Sequence, residues 1–116
     1  PRSLLKTEAE VRQRYFKSVN VQDRYPRECF ALDRHIVEKV RFVRHNLLEP
    51  SREKSFHVIF LRNVMIYFNR DTKARVVANL EQAIAQGGYL ILGLSESLSE
   101  VSERFRYTTS GVYRLV

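Results

Sequence analysis

The 116-residue sequence predicts an α/β fold, in which a strand–helix–strand unit and a terminal hairpin follow a small antiparallel β-unit. Two short apolar runs, Phe56–Leu61 and Tyr89–Gly93, have the composition of strands buried in a parallel sheet. The segment between them, Asp71–Ala85, has helical periodicity. Parallel strands need a crossover of this kind, so the second half predicts one half of a doubly wound sheet.

The N-terminal half predicts shorter elements. Thr7 can cap a helix over Thr7–Phe16, with Glu10 at the capping-box position. The elements predicted next are a strand at Cys29–Leu32, a helical turn at His35–Lys39 and a strand at Val40–Val43. We therefore expect a helical lead-in over residues 1–13, a small antiparallel β-subdomain over 14–46, and the larger α/β part over 47–116.

The ends of the crossover helix are marked by polar residues and by glycine. Asn69 or Asp71 can cap its start, and Gly87-Gly88 predicts a left-handed stop at its end. Its buried stripe is predicted from Val76, Val77, Leu80, Ala83 and Ile84. Beyond it, Phe105–Tyr107 and Val112–Val116 predict a hairpin around a Thr108–Gly111 turn.

The predicted sheet has an edge with no partner. The strand Phe56–Leu61 is apolar enough to be covered on both faces, yet only Tyr89–Gly93 is available as its neighbour. An exposed apolar edge invites pairing with another chain. We expect either an upstream segment or a second copy of the chain to complete the sheet. If a second copy does so, the chain self-associates through this edge. In a further alternative, residues 40–46 fill the gap.

Composition excludes several classes of protein. Apolar residues make up 44% and charged residues 28%, which is ordinary globular usage and excludes a disordered tail. No apolar run approaches the roughly 18 residues of a membrane span. Cys29 is the single cysteine and therefore cannot form an internal disulfide, which favours a reducing, cytoplasmic setting. The first residue is Pro1, not Met, which indicates a cut or processed fragment.

The net charge of +7 leaves nucleic-acid binding open as an alternative. The basic residues are scattered singly, however, and this favours a solvated basic face or an acidic partner over nucleic acid. The spacing of His35, His45 and His57 is not that of metal ligands, so no metal site is predicted.

Polar residues directly after the first buried strand mark the candidate site. Ligands of open α/β sheets bind outside the carboxyl ends of the strands, where Arg62 and Asn63 follow Leu61. Arg62 offers a fork of donors suited to a carboxylate, and Asn63 offers a donor and an acceptor. Tyr67 would share a face with Asn63 on one helical turn. The alternative is that Asn63 only caps this turn and that Arg62 is solvated.

A second polar segment follows the second buried strand. Ser95-Glu96-Ser97 can be interpreted as a nucleophile beside a carboxylate, or as a loop at the strand end that lines a pocket. We favour the loop. Gly93 just before it allows close approach of the backbone.

These residues carry a resemblance to a known family. The stretch Phe56–Tyr67, FHVIFLRNVMIY, resembles the CheR-type chemotaxis methyltransferases, as do Gly87-Gly88-Tyr89-Leu90 and Gly93–Ser97. Upstream, Val40-Arg41-Phe42 and Asn46-Leu47-Leu48 are similar to the segment that precedes this block in the family. The resemblance spans about residues 12–116. It implies part of a Rossmann-like class I methyltransferase sheet.

The resemblance implies an S-adenosyl-L-methionine-dependent O-methyltransferase. Its substrates would be glutamate side chains on the cytoplasmic helices of bacterial chemoreceptors, and S-adenosyl-L-homocysteine would be the other product. It implies that Asn46, Leu47, Arg62 and Asn63 contact the cofactor and that Tyr67, the candidate catalytic residue, lies near the transferred methyl group. The subdomain over 14–46 is similar to one that touches the receptor.

The chain also departs from the family pattern. His57 stands where the family usually has Asp, and Leu94 stands where it usually has His. The Gly-rich cofactor loop and the ribose-binding acidic residue of the family belong upstream of Pro1. We therefore expect this chain alone to be inactive and to bind S-adenosylmethionine negligibly, which calorimetric titration would test. A non-catalytic interaction module of a signalling system, built on residues 14–46, is the alternative from another class.

Overall fold

A computed structural model describes residues 7–19 and 29–116 of the chain. The chain divides into two compact units, Pro1–Val43 and Arg44–Val116. The expected boundaries after residues 13 and 46 stay predictions.

The first unit contains a two-stranded antiparallel sheet with short helices beside it in the chain. Its elements are α1 (Ala9–Tyr15), β1 (Phe16–Val19), β2 (Cys29–Leu32) and α2 (Arg34–Val37). The strand register pairs Phe16 with Leu32 and Val19 with Cys29. The Asp33 side chain caps α2 by accepting the His35 N–H at 2.9 Å. The predicted strand Cys29–Leu32 is therefore confirmed, and the helical turn begins one residue earlier and ends two residues earlier than the predicted His35–Lys39.

Two predictions in this unit are wrong. The first helix begins at Ala9 after Glu8, with no side-chain cap, so Thr7 is not its N-cap. The predicted strand Val40–Val43 does not form, and among the described residues β1 and β2 pair only with each other. Phe42 is 91% exposed. The alternative in which residues 40–46 complete the larger sheet fails with it.

The second unit is a four-stranded mixed sheet with one long helix. Its elements are β3 (Phe56–Leu61), a 3-10 helix (Met65–Tyr67), α3 (Arg70–Ala83), β4 (Ile84–Leu92), β5 (Phe105–Thr109) and β6 (Val112–Leu115). The strand order is β3-β4-β6-β5, with β3 parallel to β4 and the other pairs antiparallel. The predicted strand–helix–strand unit and terminal hairpin are confirmed.

The core of this unit lies on one face of the sheet. Val76 and Val77 of α3 pack into a cluster with Leu90 and Leu92 of β4. The rest of the cluster comes from the sheet and the loops: Leu61, Met65, Ile84, Leu98, Phe105, Tyr113 and Leu115. Burial of this stripe is the main force that holds α3 on the sheet.

The opposite face of β3 is open within the unit, which corrects the expectation of a strand covered on both faces. Ile59 and Leu61 point to the core, whereas Val58 and Phe60 point away, and Phe60 is 70% exposed. The strand order explains this, because within the described ranges β3 lies at the edge and pairs only with β4. Further along the same face, the Arg114 guanidinium lies 5.9 Å from the ring centre of Tyr89.

Gly87-Gly88 does not stop the helix, contrary to prediction. The helix ends at Ala83, and Ile84 is already extended and begins β4. The register with β3 then breaks, from Phe56 opposite Ile84 to Val58 opposite Tyr89. Gly87, with φ +75°, lies within this irregularity, where an L-residue would be strained. The glycine pair therefore shapes a bulge in β4.

Asn69 caps the start of α3, and its loss should weaken the unit. Its side chain accepts the Thr72 N–H at 2.9 Å. We expect Asn69→Ala to lower the free energy of unfolding by about 1 kcal/mol, measured by urea denaturation. Asn69→Asp keeps the acceptor and should be close to neutral. Equal stability of all three proteins would show that the cap contributes nothing.

None of the helices within residues 7–19 and 29–116 is long and apolar enough to cross a membrane.

Candidate functional site

The candidate site is formed where β3 and β4 end side by side. Leu61 and Leu92 are paired at the last position of the parallel ladder. Arg62 and Asn63 follow the first strand, and Gly93 follows the second. Because both carboxyl ends lie at one edge of the sheet, the two following loops meet there. This is the general position of ligand sites in open α/β sheets.

A buried carboxylate joins these two loops. Glu96 is only 8% exposed, and both of its carboxylate oxygens accept backbone N–H groups. The Oε2 atom accepts from Asn63 at 2.8 Å and from Gly93 at 2.7 Å, and Oε1 accepts from Val64 at 3.0 Å and Met65 at 2.7 Å. Charge-assisted bonds of this kind are stronger than neutral ones. The loop after β3 is thus tied to the loop after β4.

The backbone of Asn63 is in the left-handed region, with φ 57°. Asn is among the few residues that tolerate this conformation. The bond from its N–H to Glu96 holds it there. The chain turns sharply at Asn63 and enters the 3-10 helix at Met65, which is 1% exposed and packs into the core.

Gly93 allows the two loops to approach closely. A Cβ atom at this position would lie 2.6 Å from Asn63 Oδ1 and 2.7 Å from Glu96 Oε2. Both distances are shorter than real contacts of a Cβ atom. The site therefore requires glycine here because of close packing, as the expectation for Gly93 proposed.

A cleft of about 310 Å³ opens beside the joined loops. It is lined by the 3-10 helix, the start of α3 and the loop after β4, with Met65, Ile66, Arg70, Lys73, Ser95, Glu96, Ser97, Ser99, Glu100 and Val101. The interpretation of Ser95-Glu96-Ser97 as a loop at the cleft is confirmed. The carboxylate of Glu96 faces backbone N–H groups, so it is not placed to activate a neighbouring serine.

The predicted residues around β3 lie in one segment, although not in the predicted arrangement. Arg62 and Asn63 are exposed, and Tyr67 is 81% exposed. The 3-10 helix includes Tyr67 and begins only at Met65, so Asn63 does not share a helical turn with Tyr67. The Asn63 side chain does not cap this helix, because its Oδ1 lies against Gly93.

Asn46 and Leu47 lie in a separate turn against α3. The Asn46 side chain accepts the Leu48 N–H at 3.1 Å and donates to Glu49 at 3.3 Å. The Leu47 carbonyl accepts a bond from Asn79 Nδ2 at 3.0 Å, and its side chain packs on the core. No hydrogen bond within residues 44–116 links this turn to Arg62 or Asn63. Their shared contact with a cofactor stays a prediction.

Sequence reasoning missed the part that Glu96 plays. A signal was present in the sequence, because Glu96 comes three positions after Gly93 at the end of one buried strand and Asn63 follows the other. Burial alone would raise the pKa of the Glu96 carboxyl, but the four N–H bonds outweigh it and lower that pKa below its usual value. Glu96 is therefore a buried anion whose carboxylate holds the two loops together.

The lowered pKa makes stability depend on acidity. A carboxyl whose pKa is depressed by folding stabilises the fold above its unfolded pKa of about 4.3 and loses that contribution as pH falls through the folded pKa. We expect the difference in unfolding free energy between the wild type and Glu96→Gln to be constant near neutral pH and to shrink below about pH 4.3. Urea titrations at several pH values measure it. A difference independent of pH would contradict this role of the charge.

Among the described residues, no group of three His, Cys, Asp or Glu side chains could hold a metal ion.

The fold and the joined loops define a mixed α/β protein with a candidate ligand site at the ends of parallel strands. Comparison with known families assigns it more closely: residues 1–114 match the model described as CheR methyltransferase, SAM binding domain. This match covers nearly the whole chain. The chain belongs to the family of CheR methyltransferase SAM-binding domains.

Curated relatives agree with this assignment. The chain is 43% identical over 67 residues to chemotaxis protein methyltransferase 1 of Vibrio cholerae, which is 57% of this chain and 24% of that protein. It is 31% identical over 115 residues to the probable chemotaxis protein methyltransferase of Rhizobium etli, or 90% of this chain and 41% of that protein. It is 37% identical over 82 residues to the chemotaxis protein methyltransferase of Klebsiella aerogenes, which is 69% of this chain and 28% of that protein. The chain thus spans less than half the length of each of these relatives.

Proposed function

We propose that this chain is part of an S-adenosylmethionine-dependent O-methyltransferase that methylates glutamate side chains of bacterial chemoreceptors in the cytoplasm. The observation that carries the proposal is the match of residues 1–114 to a SAM-binding domain. The names of the relatives support chemotaxis as the setting. Residues 47–116 then form the C-terminal half of a Rossmann-like class I sheet, and residues 14–46 form the subdomain that meets the receptor.

The residues at the ends of β3 and β4 fit this cofactor chemically. The Arg62 guanidinium suits the carboxylate of the methionine part, and a backbone fixed at Asn63 offers a rigid wall beside it. Asn46 and Leu47 complete the proposed set of cofactor contacts. When bound, S-adenosylmethionine supplies a methyl group on a positively charged sulfur.

The remaining task of the chain is to position the acceptor. A glutamate carboxylate with an ordinary pKa of about 4.3 is already ionised near neutral pH, so transfer needs no general base. Tyr67, exposed on the 3-10 helix, is proposed to shape the place where this carboxylate meets the methyl group. The protein then contributes alignment and the exclusion of water.

Transfer of labelled methyl groups tests this function. The complete gene product that contains these 116 residues is incubated with methyl-labelled S-adenosylmethionine and chemoreceptor cytoplasmic fragments. Esters of glutamate are hydrolysed by base, so the label should appear in the receptor and leave as methanol on alkaline treatment. Asn63→Ala should weaken cofactor binding about tenfold, and Tyr67→Ala should lower kcat. A purified, folded protein that transfers no base-labile label would refute the proposal.

We also propose that the open edge of β3 pairs with a second copy of the chain. No strand in the described part of the chain pairs with this edge, and Phe60 of β3 is exposed beside it. Light scattering of the 116-residue chain should show a mass that rises with concentration, and Phe60→Lys should reduce it. A monomer at all concentrations would contradict this.

A further inference from the structure

We propose that Glu96 is a positioning residue of the cofactor site, whose carboxylate fixes the conformation of the Arg62-Asn63 pair without itself touching the cofactor. This inference rests on the proposed function, because it takes Arg62 and Asn63 as cofactor contacts. It adds a residue to which neither the family match nor the resemblance assigns a role.

The geometry excludes a direct catalytic part for Glu96. Its side chain is almost fully buried, and both oxygens are occupied by two N–H donors each, at 2.7–3.0 Å. A carboxylate saturated in this way has little capacity left for a substrate or a proton. Its influence must therefore pass through the backbone that it binds.

One of the backbone N–H groups that Glu96 accepts belongs to Asn63, the residue in the left-handed conformation. Asn63 has φ 57°, and the two residues after it also donate to the same carboxylate. Without these bonds the left-handed turn loses the contacts that oppose its intrinsic cost. The loop after β3 would then relax, and Arg62 and Asn63 would no longer be held beside the end of β4.

Replacement by glutamine is the sharpest perturbation. Glutamine has the same shape, but one of its two terminal atoms is an NH₂ group. Whichever way the amide turns, this group faces a pair of N–H donors that previously met an oxygen. Glu96→Gln therefore breaks half of the network while it leaves the volume of the side chain unchanged.

The experiment compares Glu96→Gln with Glu103→Gln in the complete gene product. Glu103 is exposed and lies outside the site, so the same chemical change there is a matched control. Val77→Ala, a buried change on α3, controls for general loss of stability. Calorimetry measures the Kd of S-adenosyl-L-homocysteine for the folded protein. Hydrogen exchange measures protection of the amides of Asn63, Val64 and Met65.

We expect Glu96→Gln to raise the Kd at least about tenfold and to accelerate exchange at these amides. Glu103→Gln and Val77→Ala should leave the Kd unchanged, although Val77→Ala lowers stability. If Glu96→Gln does not fold, Glu96→Asp keeps the charge but reaches fewer donors, and the same rise in Kd is expected from it.

The outcomes separate the two proposals. A folded Glu96 variant with the wild-type Kd overturns the positioning role while the proposed function stands. A rise in Kd equal to that of Val77→Ala also overturns it, because the effect is then only one of stability. Failure of the wild type to bind S-adenosyl-L-homocysteine overturns the proposed function, and this inference with it, even if exchange at Asn63 responds to Glu96.

Discussion

Substitution of Gly93 by alanine should weaken cofactor binding by the complete gene product at least about tenfold. The new Cβ would lie 2.6 Å from Asn63 Oδ1 and 2.7 Å from Glu96 Oε2. The Asn63 side chain can swing away, but the Glu96 carboxylate cannot, because its retreat breaks bonds to backbone N–H groups. The loss of one or two such bonds to a charged group costs about 1.5–3 kcal/mol each, or tenfold or more in affinity. Calorimetric titration with S-adenosyl-L-homocysteine measures this.

Gly87→Ala is the matched control for this change. Gly87 has φ +75° and lies in the bulge of β4, where the nearest group to a Cβ is the flexible side chain of Arg114, at 3.3 Å. It should lower stability by about 1–2 kcal/mol through backbone strain, without disturbing the loops at the site. If Gly93→Ala binds the ligand as well as Gly87→Ala does, the close packing of the two loops is not needed for binding.

Leu90→Ala should cause the largest loss of stability among single truncations in the sheet. Leu90 has no exposed surface and lies in β4, the strand between β3 and β6. It belongs to the buried cluster that also contains Val76 and Val77 of α3. Truncation of a buried leucine costs about 2–5 kcal/mol through lost burial and the remaining cavity. The free energy of unfolding of a typical domain is only about 5–15 kcal/mol, so this truncation should remove a large fraction of it.

Leu94→Ala makes the same chemical change four residues along the chain. Leu94 is 77% exposed, and its truncation should change the unfolding free energy by less than about 0.5 kcal/mol. Urea denaturation of both variants measures the difference. Equal losses would show that the core does not lie on the face of the sheet covered by α3.

The elements with strong local signals were predictable from the sequence. The helical stripe at Val76 and Val77 places α3, and Asn69 caps its start as one of the two predicted caps. The apolar run at Phe56–Leu61 is a strand with the predicted bounds. In each case the signal depends on residues close together in the chain, so no knowledge of tertiary contacts was needed.

The errors arose where tertiary pairing decides the outcome. Gly87-Gly88 resembles a helix stop, but the strand begins at Ile84 because pairing with Phe56 extends β4 backwards and places the glycines in a bulge. An apolar strand also predicts cover on both faces, whereas the position of β3 at the edge leaves Phe60 open. Neither outcome is encoded in a local pattern.

The candidate site was predictable only in its position. The end of an apolar strand pointed to Arg62 and Asn63, but the bonds that hold Asn63 and the two residues after it come from Glu96, more than thirty residues along the chain. A single sequence does not show such a contact, because Glu at a strand end is usually solvated. The roles of Asn46, Leu47, Arg62, Asn63 and Tyr67 toward ligands remain predictions.

The most direct test of the account is a structure of the complete gene product with bound S-adenosyl-L-homocysteine. We predict that the ligand lies at the carboxyl ends of β3 and β4 and contacts Arg62 and Asn63, while Glu96 stays buried behind them with its N–H bonds intact. A ligand bound elsewhere, with Arg62 and Asn63 facing solvent, would contradict the account.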